Sequence, residues 1–254
     1  MVRAQAPFRL VAWNIRAGGG ARAGKIAAAL TDMAPDLVVL SEFRSTPASQ
    51  HIASELAAAG LSSQICTTRQ VPSGANALLI AARSALARVG LRQAPREPGR
   101  WAMARLAAPR LAVGAMHIPN QHTGRKPFYH DAVADLAKRW RGGPALLVGD
   151  TNSGRIGEDE ETAVFNQRTH AWFDRLAAAG WRDGFRLKHG AKREFTWFSP
   201  GHDNGFRLDQ VFLNPALAAR LKDVRHTWPP DPAQPGRRDG LSDHAALVVE
   251  MQLS

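Results

Sequence analysis

The sequence is poor in cysteine, with Cys66 the only one among 254 residues. A single thiol excludes an internal disulfide and a zinc site built from cysteine ligands. Long apolar runs are missing as well, and no stretch approaches the length of a membrane span. Residues 1–7 lack the apolar core of a signal peptide. We therefore expect a cytoplasmic protein with no membrane segment, and secretion stays open only for a chain whose leader was removed.

Linkers and repeats are also absent. The sequence contains no Ser/Gly tract, no block of like charge and no repeat at solenoid spacing. A chain of 254 residues is long enough for one large domain with a substantial core. We predict a single domain over residues 1–254. No feature indicates an obligate protein partner, so we expect a monomer.

Acidic residues are outnumbered by basic ones. The 33 Lys and Arg against 22 Asp and Glu give a net charge of +11, and Arg dominates over Lys. The planar guanidinium group suits bidentate contacts with phosphate. Such a balance favours an anionic partner, most often nucleic acid. The alternative is that codon bias in the genome makes arginine frequent without any functional consequence.

Short apolar runs predict more strands than helices. The predicted strands cover residues 8–13, 36–40, 77–82, 86–91, 101–106, 111–116, 146–149, 195–198, 207–213 and 245–251. Helices are predicted at 25–33, 47–59, 128–140, 169–179 and 215–221, with a connection at 181–186. Because strands and helices alternate irregularly, the pattern indicates an α/β fold of two packed sheets with helices outside, rather than a doubly wound parallel sheet.

The stretch from Leu146 to Asn152 carries the main chemical signal. Its buried strand ends at Gly149 and is followed at once by Asp150 and Asn152. Side chains two residues apart on a strand point the same way, so this carboxylate and amide should stand side by side at the rim of a sheet. The alternative is an ordinary turn, which Asp and Asn also favour.

Other predicted strands end in polar residues of the same kind. They are Asn14, Glu42, His117, Asp209 and the adjacent Asp243 and His244. Asp209 lies within a strand and needs a partner, which a buried arginine such as Arg207 would supply. Asn14 has the alternative role of capping the glycine run at 18–20, which lacks the Lys-Ser/Thr ending of a phosphate-binding loop.

Together these stretches resemble the endonuclease/exonuclease/phosphatase superfamily. The resemblance rests on Trp13-Asn14, Leu40-Ser41-Glu42, His117-Ile118-Pro119-Asn120, Gly149-Asp150-Thr151-Asn152, Arg207-Leu208-Asp209 and Ser242-Asp243-His244. It implies a four-layer αββα sandwich, in which two mixed sheets pack face to face with helices on both outer sides. It also implies hydrolysis of phosphoester bonds with Mg²⁺ or Mn²⁺.

Two groups within the superfamily are similar to different halves of the chain. The second half, with 172–176, 183–186 and 195–198, resembles exonuclease III and the abasic-site endonucleases. The first half is more similar to pancreatic-type deoxyribonuclease, because Arg16 and Arg44 each follow a site residue by two positions and His117 replaces a tyrosine. These arginines are placed to meet phosphates or a groove, which favours recognition of the DNA backbone over strict abasic-site specificity.

The chemistry of phosphodiester hydrolysis assigns a role to each residue. Glu42 is the expected metal ligand, helped by Asn14 and Asp243 directly or through water. Asp150 is the expected general base, and a His244 kept protonated by Asp209 would stabilise the phosphate oxygens. Further contacts to the substrate are expected from Asn120, Asn152 and His117, the last of these alternatively assisting the leaving oxygen. Trp197 either stacks on an extruded base or belongs to the core.

Three functions are compatible with these residues and with the resemblance. The first is a metal-dependent DNA nuclease, acting as exonuclease or endonuclease, for which the resemblance implies 5′-phosphate and 3′-hydroxyl ends. The second is a phosphatase or phospholipid phosphodiesterase of the same superfamily. The third is a catalytically dead module that only binds DNA.

Overall fold

The computed structural model of the protein describes residues 6–253. Residues 1–5 and Ser254 lie outside the described residues. The expectation that residues 1–7 are not a signal peptide therefore falls mostly outside the described residues. Within the described part of the chain, no helix has both the length and the apolar character needed to cross a membrane.

The chain forms strands and helices in irregular alternation. The strands are β1 (Phe8–Asn14), β2 (Leu37–Phe43), β3 (Ser63–Cys66), β4 (Ala77–Ala82), β5 (Leu86–Arg88), β6 (Trp101–Leu106), β7 (Leu111–His117), β8 (Ala145–Asp150), β9 (Arg182–Asp183), β10 (Trp197–Phe198), β11 (Gly205–Phe206), β12 (Asp209–Leu213), β13 (Leu221–Thr227) and β14 (Ala246–Met251). The helices are α1 (Ala23–Asp32), α2 (Pro47–Ala58), α3 (Lys126–Arg139), α4 (Gln167–Ala178), α5 (Gly184–His189) and α6 (Pro215–Ala218).

Two six-stranded mixed sheets form the centre of the molecule. The strand order is β13-β14-β1-β2-β4-β3 in the first sheet and β5-β6-β7-β8-β12-β9 in the second, while β10 and β11 form a separate pair. Strands β1 and β2 run parallel, as do β7 and β8, and the other neighbours are antiparallel. Parallel strands end at the same edge of a sheet, so residues at their carboxyl ends become neighbours.

The layers follow from the alternation of side chains along each strand. In β1, Leu10 and Ala12 belong to the core between the sheets, whereas Val11 and Trp13 pack outward against α1 and α2. Helices α3 and α4 cover the outer face of the second sheet through residues such as Trp172. The predicted four-layer sandwich of two mixed sheets with helices on both outer faces is thereby confirmed.

Several elements differ from the sequence predictions, among them the unpredicted two-residue strands β9 and β11. Residues 184–189 are helical because Asp183 caps them, its Oδ1 accepting hydrogen bonds from the amides of Phe185 at 3.0 Å and Arg186 at 3.2 Å. Helix α6 ends at Ala218 and the chain continues as β13, an edge strand with alternating burial. Strand β3 is also an edge strand, and only Ile65 in it is fully buried, so its sequence carries little hydrophobic signal.

Candidate active site

Polar side chains from both sheets meet at one edge of the sandwich. His117 ends β7 and lies in register with Asp150 at the end of β8. Asp150 is in turn opposite Asp209, the first residue of β12. Asn14 ends β1, and His244 lies two residues before the start of β14. The structure therefore brings together side chains that are more than 200 positions apart in the sequence.

Asp150 occupies the middle of this group and is 2% exposed. Its Oδ2 accepts a hydrogen bond from Asn14 Nδ2 at 3.0 Å, and its Oδ1 accepts one from the Asn152 amide at 2.9 Å. His117 Nε2 lies 3.6 Å and His244 Nε2 4.0 Å from Oδ2. Burial raises the pKa of the Asp150 carboxyl to about 6, against the lowering effect of His244.

The backbone around Asp150 has a conformation that few residues can adopt. A Cβ atom at Gly149 would lie 1.9 Å from the Met116 carbonyl oxygen, and the φ angle of Gly149 is 141°. Asn152 has a φ angle of 45°, in the left-handed region that asparagine tolerates better than most residues. Its Nδ2 donates to the Ile118 carbonyl at 2.9 Å. Gly149 and Asp150 thus end strand β8, and the chain bends at Asn152, so the stretch leaves the sheet while it presents a carboxylate to the site.

His244 and Asp209 form a buried pair. Nδ1 of His244 lies 2.9 Å from Oδ2 of Asp209, and neither residue is more than 6% exposed. Burial alone lowers the pKa of the imidazole, but the charges of Asp209 and Asp150 outweigh it and raise the pKa to about 10. The partner of Asp209 is therefore His244, whereas Arg207 binds Asp159 and Asp183 instead.

His117 has the opposite electrostatic state. Burial, together with the charges of Arg100 and His244, holds the pKa of its imidazole well below the usual range. Nδ1 of His117 is buried and has no hydrogen-bond partner within the described residues. Asp150 is consequently flanked by one neutral and one charged imidazole.

Glu42 lies beside this cluster on β2. Its Oε2 accepts a hydrogen bond from the Ala17 amide at 2.7 Å, while its Oε1 has only a 3.5 Å contact with Asn14 Nδ2. The Asn14 amide nitrogen therefore links the carboxylates of Glu42 and Asp150, and its Oδ1 accepts from the Arg16 amide at 3.0 Å. The Asn14 side chain thus contacts two site carboxylates and the amide of Arg16.

The oxygen atoms at this edge suit a hard divalent cation. No three His, Cys, Asp or Glu side chains of residues 6–253 converge on a point in the manner of a closed metal site. Mg²⁺ does not need such a cage, because it keeps several waters and takes one or two carboxylates together with substrate oxygens. Glu42 has an available carboxylate oxygen next to Asp150, so the donor set fits Mg²⁺ or Mn²⁺.

Asp243 and Arg16 border the site on the solvent side. Arg16 Nε lies 3.9 Å from Asp243 Oδ2, and the two side chains are 51% and 35% exposed. Both side chains are accessible to a substrate at the rim. Phosphate binding by Arg16 and metal binding by Asp243 stay predictions.

The other predicted substrate-binding residues differ in exposure and in their contacts. Arg44 is half-buried and donates from Nε to Asn76 Oδ1 at 2.7 Å. Asn120 is exposed and follows β7 by three residues. Trp197 packs against Phe206, with ring centroids 5.8 Å apart, and against the His244 ring at 6.3 Å. Its half-buried ring forms one wall of the site, a position compatible with either of its predicted roles.

Lys126 is a site residue that the sequence analysis did not identify. It is 8% exposed, and its ammonium donates to the Asn152 carbonyl. Burial lowers its pKa to about 8, although the Asp150 carboxylate acts in the opposite direction. No feature of the sequence marks Lys126 as buried, because its partner is a backbone carbonyl 26 positions away.

Two further side chains hold the segment that carries His244. Trp13 Nε1 donates to the His244 carbonyl at 2.8 Å, and Ser242 Oγ donates to the Asn14 carbonyl at 2.6 Å. Because these bonds join β1 to the segment before β14, they fix the position of His244 relative to Asn14.

The comparison with known proteins agrees with this geometry. The sequence profile of the endonuclease/exonuclease/phosphatase family matches residues 11–244, which include all the predicted site residues. No protein with a curated description matches the chain.

Solved structures share the fold over nearly the whole chain. The chain is similar to the 3′ phosphatase NExo from Neisseria bound to a product DNA hairpin, with a TM-score of 0.74 and 24% identity over 96% of this chain and 99% of that one. The 3′-5′ exonuclease NExo from Neisseria meningitidis gives the same TM-score of 0.74 and 24% identity over 96% and 100% of the two chains. An AP endonuclease from Archaeoglobus fulgidus has a TM-score of 0.79 and 18% identity over 97% and 100%.

At these sequence identities the structural likeness shows a shared fold. The match of the sequence profile extends over most of the chain and includes the edge where the carboxylates and imidazoles meet. The chain therefore belongs to the endonuclease/exonuclease/phosphatase family.

Proposed function

We propose that the protein is a divalent-metal-dependent nuclease that hydrolyses phosphodiester bonds of DNA. One observation carries the proposal: Asp150 lies between a neutral His117 and a charged His244, with the Glu42 carboxylate linked to it through Asn14. This arrangement combines a base, a fixed positive charge and a cation ligand at one accessible edge.

The substrate phosphate is surrounded by negative oxygens, which repel an attacking water. A cation bound by Glu42, with Asn14 and Asp243 contributing directly or through water, would withdraw part of that negative charge. The charged His244 adds a second positive group on the far side of Asp150. Asp209 keeps that imidazole protonated and oriented, so it donates a hydrogen bond to a phosphate oxygen as negative charge develops there.

Asp150 orients the attacking water and accepts its proton. A carboxyl with a pKa of about 6 is mostly ionised at neutral pH, yet it is more basic than an ordinary aspartate. His117 is neutral and can donate one hydrogen bond without adding charge, either to a phosphate oxygen or to the leaving oxygen. The resemblance to the nucleases of this family implies in-line attack that expels the 3′ oxygen, which leaves 5′-phosphate and 3′-hydroxyl ends.

The charge of the protein supports DNA as the substrate. A net charge of +11 attracts a polyanion, and the half-exposed Arg16 lies at the rim of the site. The solved structures of similar fold include a phosphatase bound to a DNA hairpin, an exonuclease and an AP endonuclease.

A cleavage assay separates the candidate functions. Labelled double-stranded, single-stranded, abasic-site and 3′-phosphate DNA are incubated with Mg²⁺, Mn²⁺ or EDTA, and a small phosphoester and a phospholipid serve as alternative substrates. We expect DNA cleavage that EDTA abolishes. Hydrolysis of only the small ester or the lipid would contradict the nuclease proposal, and DNA binding without any cleavage would indicate a dead module.

Two substitutions test the assigned roles. Asp150→Asn should reduce turnover by at least about 100-fold and leave DNA binding in EDTA intact, while the exposed Asp135→Asn serves as the matched control. Glu42→Gln should raise the Mg²⁺ concentration needed for half-maximal activity, and the exposed Glu55→Gln should not. An unchanged Mg²⁺ requirement in Glu42→Gln would show that the metal binds elsewhere.

A further inference from the structure

A second cationic cavity lies at the opposite end of the second sheet. Its volume is about 490 Å³, and it is formed by the loop after β5, the end of β6 and the last turn of α3. Arg105, in its wall, is paired with Ala112, next to the first residue of β8. His117 and Asp150 lie five residues farther along these strands, which corresponds to roughly 17 Å. The cavity is therefore separate from the candidate active site.

Four arginines and an apolar floor line this cavity. Arg92, Arg105, Arg139 and Arg141 are exposed at its rim. Leu136 and the half-buried Trp140 provide apolar surface beneath them, and no acidic residue of the described chain belongs to the lining. The cavity thus combines concentrated positive charge with an aromatic wall.

The four guanidinium groups have no ionic partner among residues 6–253. No described carboxylate lies within the 4.0 Å of an ion pair from any of them. Their hydrogen bonds go to neutral groups: Arg105 donates to the Gly142 carbonyl at 3.2 Å, Arg139 to the Gln93 side chain and Arg141 to backbone carbonyls. Because no carboxylate neutralises these four arginines, an anion bound in the cavity would be attracted by several positive charges at once.

The indole ring of Trp140 is held in place by its own backbone. Nε1 donates to the Gly143 carbonyl at 2.8 Å. A Cβ atom at Gly142 would lie 2.5 Å from Cζ2 of the ring, so a larger residue there would displace the indole from this position. A ring fixed in this way loses little conformational entropy when a flat group stacks against it.

We propose that this cavity binds a nucleotide unit, with its phosphate on Arg105 and Arg139 and its base against Trp140. Guanidinium groups bind phosphate oxygens in bidentate fashion, and bases stack well on an indole. A volume of about 490 Å³ lies within the range of small-molecule sites. An acidic peptide would satisfy the arginines and leave the aromatic wall without a flat partner. The same chemistry is offered by a free nucleotide and by a single-stranded nucleic acid.

A spectroscopic probe at Trp140 tests the proposal. The protein has seven tryptophans, and after labelling with 5-fluorotryptophan the signal missing in Trp140→Leu identifies that position. Titrations in EDTA use AMP, inorganic phosphate, a 5′-phosphorylated oligothymidylate and an oligoglutamate peptide. We expect the chemical shift of the Trp140 signal to change saturably with AMP. Tighter binding of the oligonucleotide than of AMP would assign the site to a single strand. Equal affinity for the two would assign it to the free nucleotide.

Arginine variants show whether the charge is responsible. Arg105→Ser/Arg139→Ser should weaken nucleotide binding by about tenfold or more, because each charged hydrogen bond contributes at least that factor. Arg92→Ser/Arg141→Ser provides a second pair if the first is unstable, and the exposed Arg69→Ser/Arg220→Ser is the matched control. The proposal is overturned if neither nucleotide moves the Trp140 signal, if phosphate or oligoglutamate binds as well as AMP, or if the folded arginine variants bind as tightly as the unmodified protein.

Discussion

The imidazole of His244 lies between two carboxylates, with Nδ1 2.9 Å from Asp209 Oδ2 and Nε2 4.0 Å from Asp150 Oδ2. Only one of these carboxylates makes a hydrogen bond to the ring. Asp209 therefore holds and charges the imidazole, while Asp150 faces the other nitrogen across a wider distance. A positive charge at the centre of the site is in this way a property of the protein itself.

The first prediction concerns Asp209→Asn. An amide cannot stabilise an imidazolium ion as a carboxylate does, so the pKa of His244 should fall and the ring should lose its charge. We expect kcat to drop by about 100-fold or more, with a smaller change in KM, because the charge acts mainly in the transition state. Steady-state kinetics on a DNA substrate measures both constants. The exposed Asp32→Asn is the control, and normal turnover in Asp209→Asn would contradict the assigned role.

The second prediction is a pH dependence of stability. The pKa of His244 is raised from 6.5 to about 10 in the folded protein, so the folded state binds this proton more tightly than the unfolded chain. The resulting stabilisation is complete below pH 6.5 and is lost as the pH rises towards 10. Thermal unfolding in EDTA should show His244→Gln melting below the unmodified protein at pH 6, with a difference that shrinks by pH 10. A difference that is constant over this range would disprove the raised pKa.

The third prediction concerns Lys126, whose ammonium binds the Asn152 carbonyl. Lys126→Met removes this donor from the turn that carries Asp150, and we expect kcat to fall by about 10- to 100-fold through misplacement of the carboxylate. Lys126→Arg should restore part of the activity, and Lys138→Met on the exposed face of α3 should have no effect. If Lys126→Met retained full activity, the lysine would have only a structural role.

The fourth prediction concerns the buried ion pairs of Arg207. Its Nε lies 2.8 Å from Asp159 Oδ1 and its Nη2 lies 2.6 Å from Asp183 Oδ2, and the side chain is fully buried. Arg207→Met would leave both carboxylates buried without this partner, at a cost of about 3–5 kcal/mol. The melting temperature should therefore fall by about 10 °C. Arg96→Met, on an exposed side chain, is the control, and an unchanged melting temperature in Arg207→Met would show that the two carboxylates do not need this cation.

Most of the fold could be predicted from the sequence because the central strands are nearly continuous apolar runs. Strands β4 and β8 are buried along their whole length, and apolar runs of this kind are recognisable without knowledge of their neighbours. Edge strands carry a weaker signal, which is why β3 and β13 were not predicted. Their hydrogen bonds to β4 and β14 determine their structure more than their own composition does.

The site shows the same division. Asp150, Glu42 and His244 were identifiable because each polar residue lies next to an apolar strand. Lys126 was not, because its burial depends on the Asn152 carbonyl, 26 positions away. The partner of Asp209 was also undecided, because Arg207 and His244 can both carry the positive charge that a buried carboxylate needs. Only the folded chain directs Arg207 to Asp159 and Asp183.

By itself, the sequence determined the central strands, the longer helices and the residue types available for chemistry, because burial patterns and polar strand ends are local features. Only the tertiary structure decided the protonation states and the pairing. A pKa depends on distances of a few ångströms between groups from different strands, and the neutral His117 and charged His244 differ in their neighbours and not in their type. The same holds for the arginine cavity, whose residues come from three separate segments and acquire a common anion-binding surface only when the second sheet and α3 pack together.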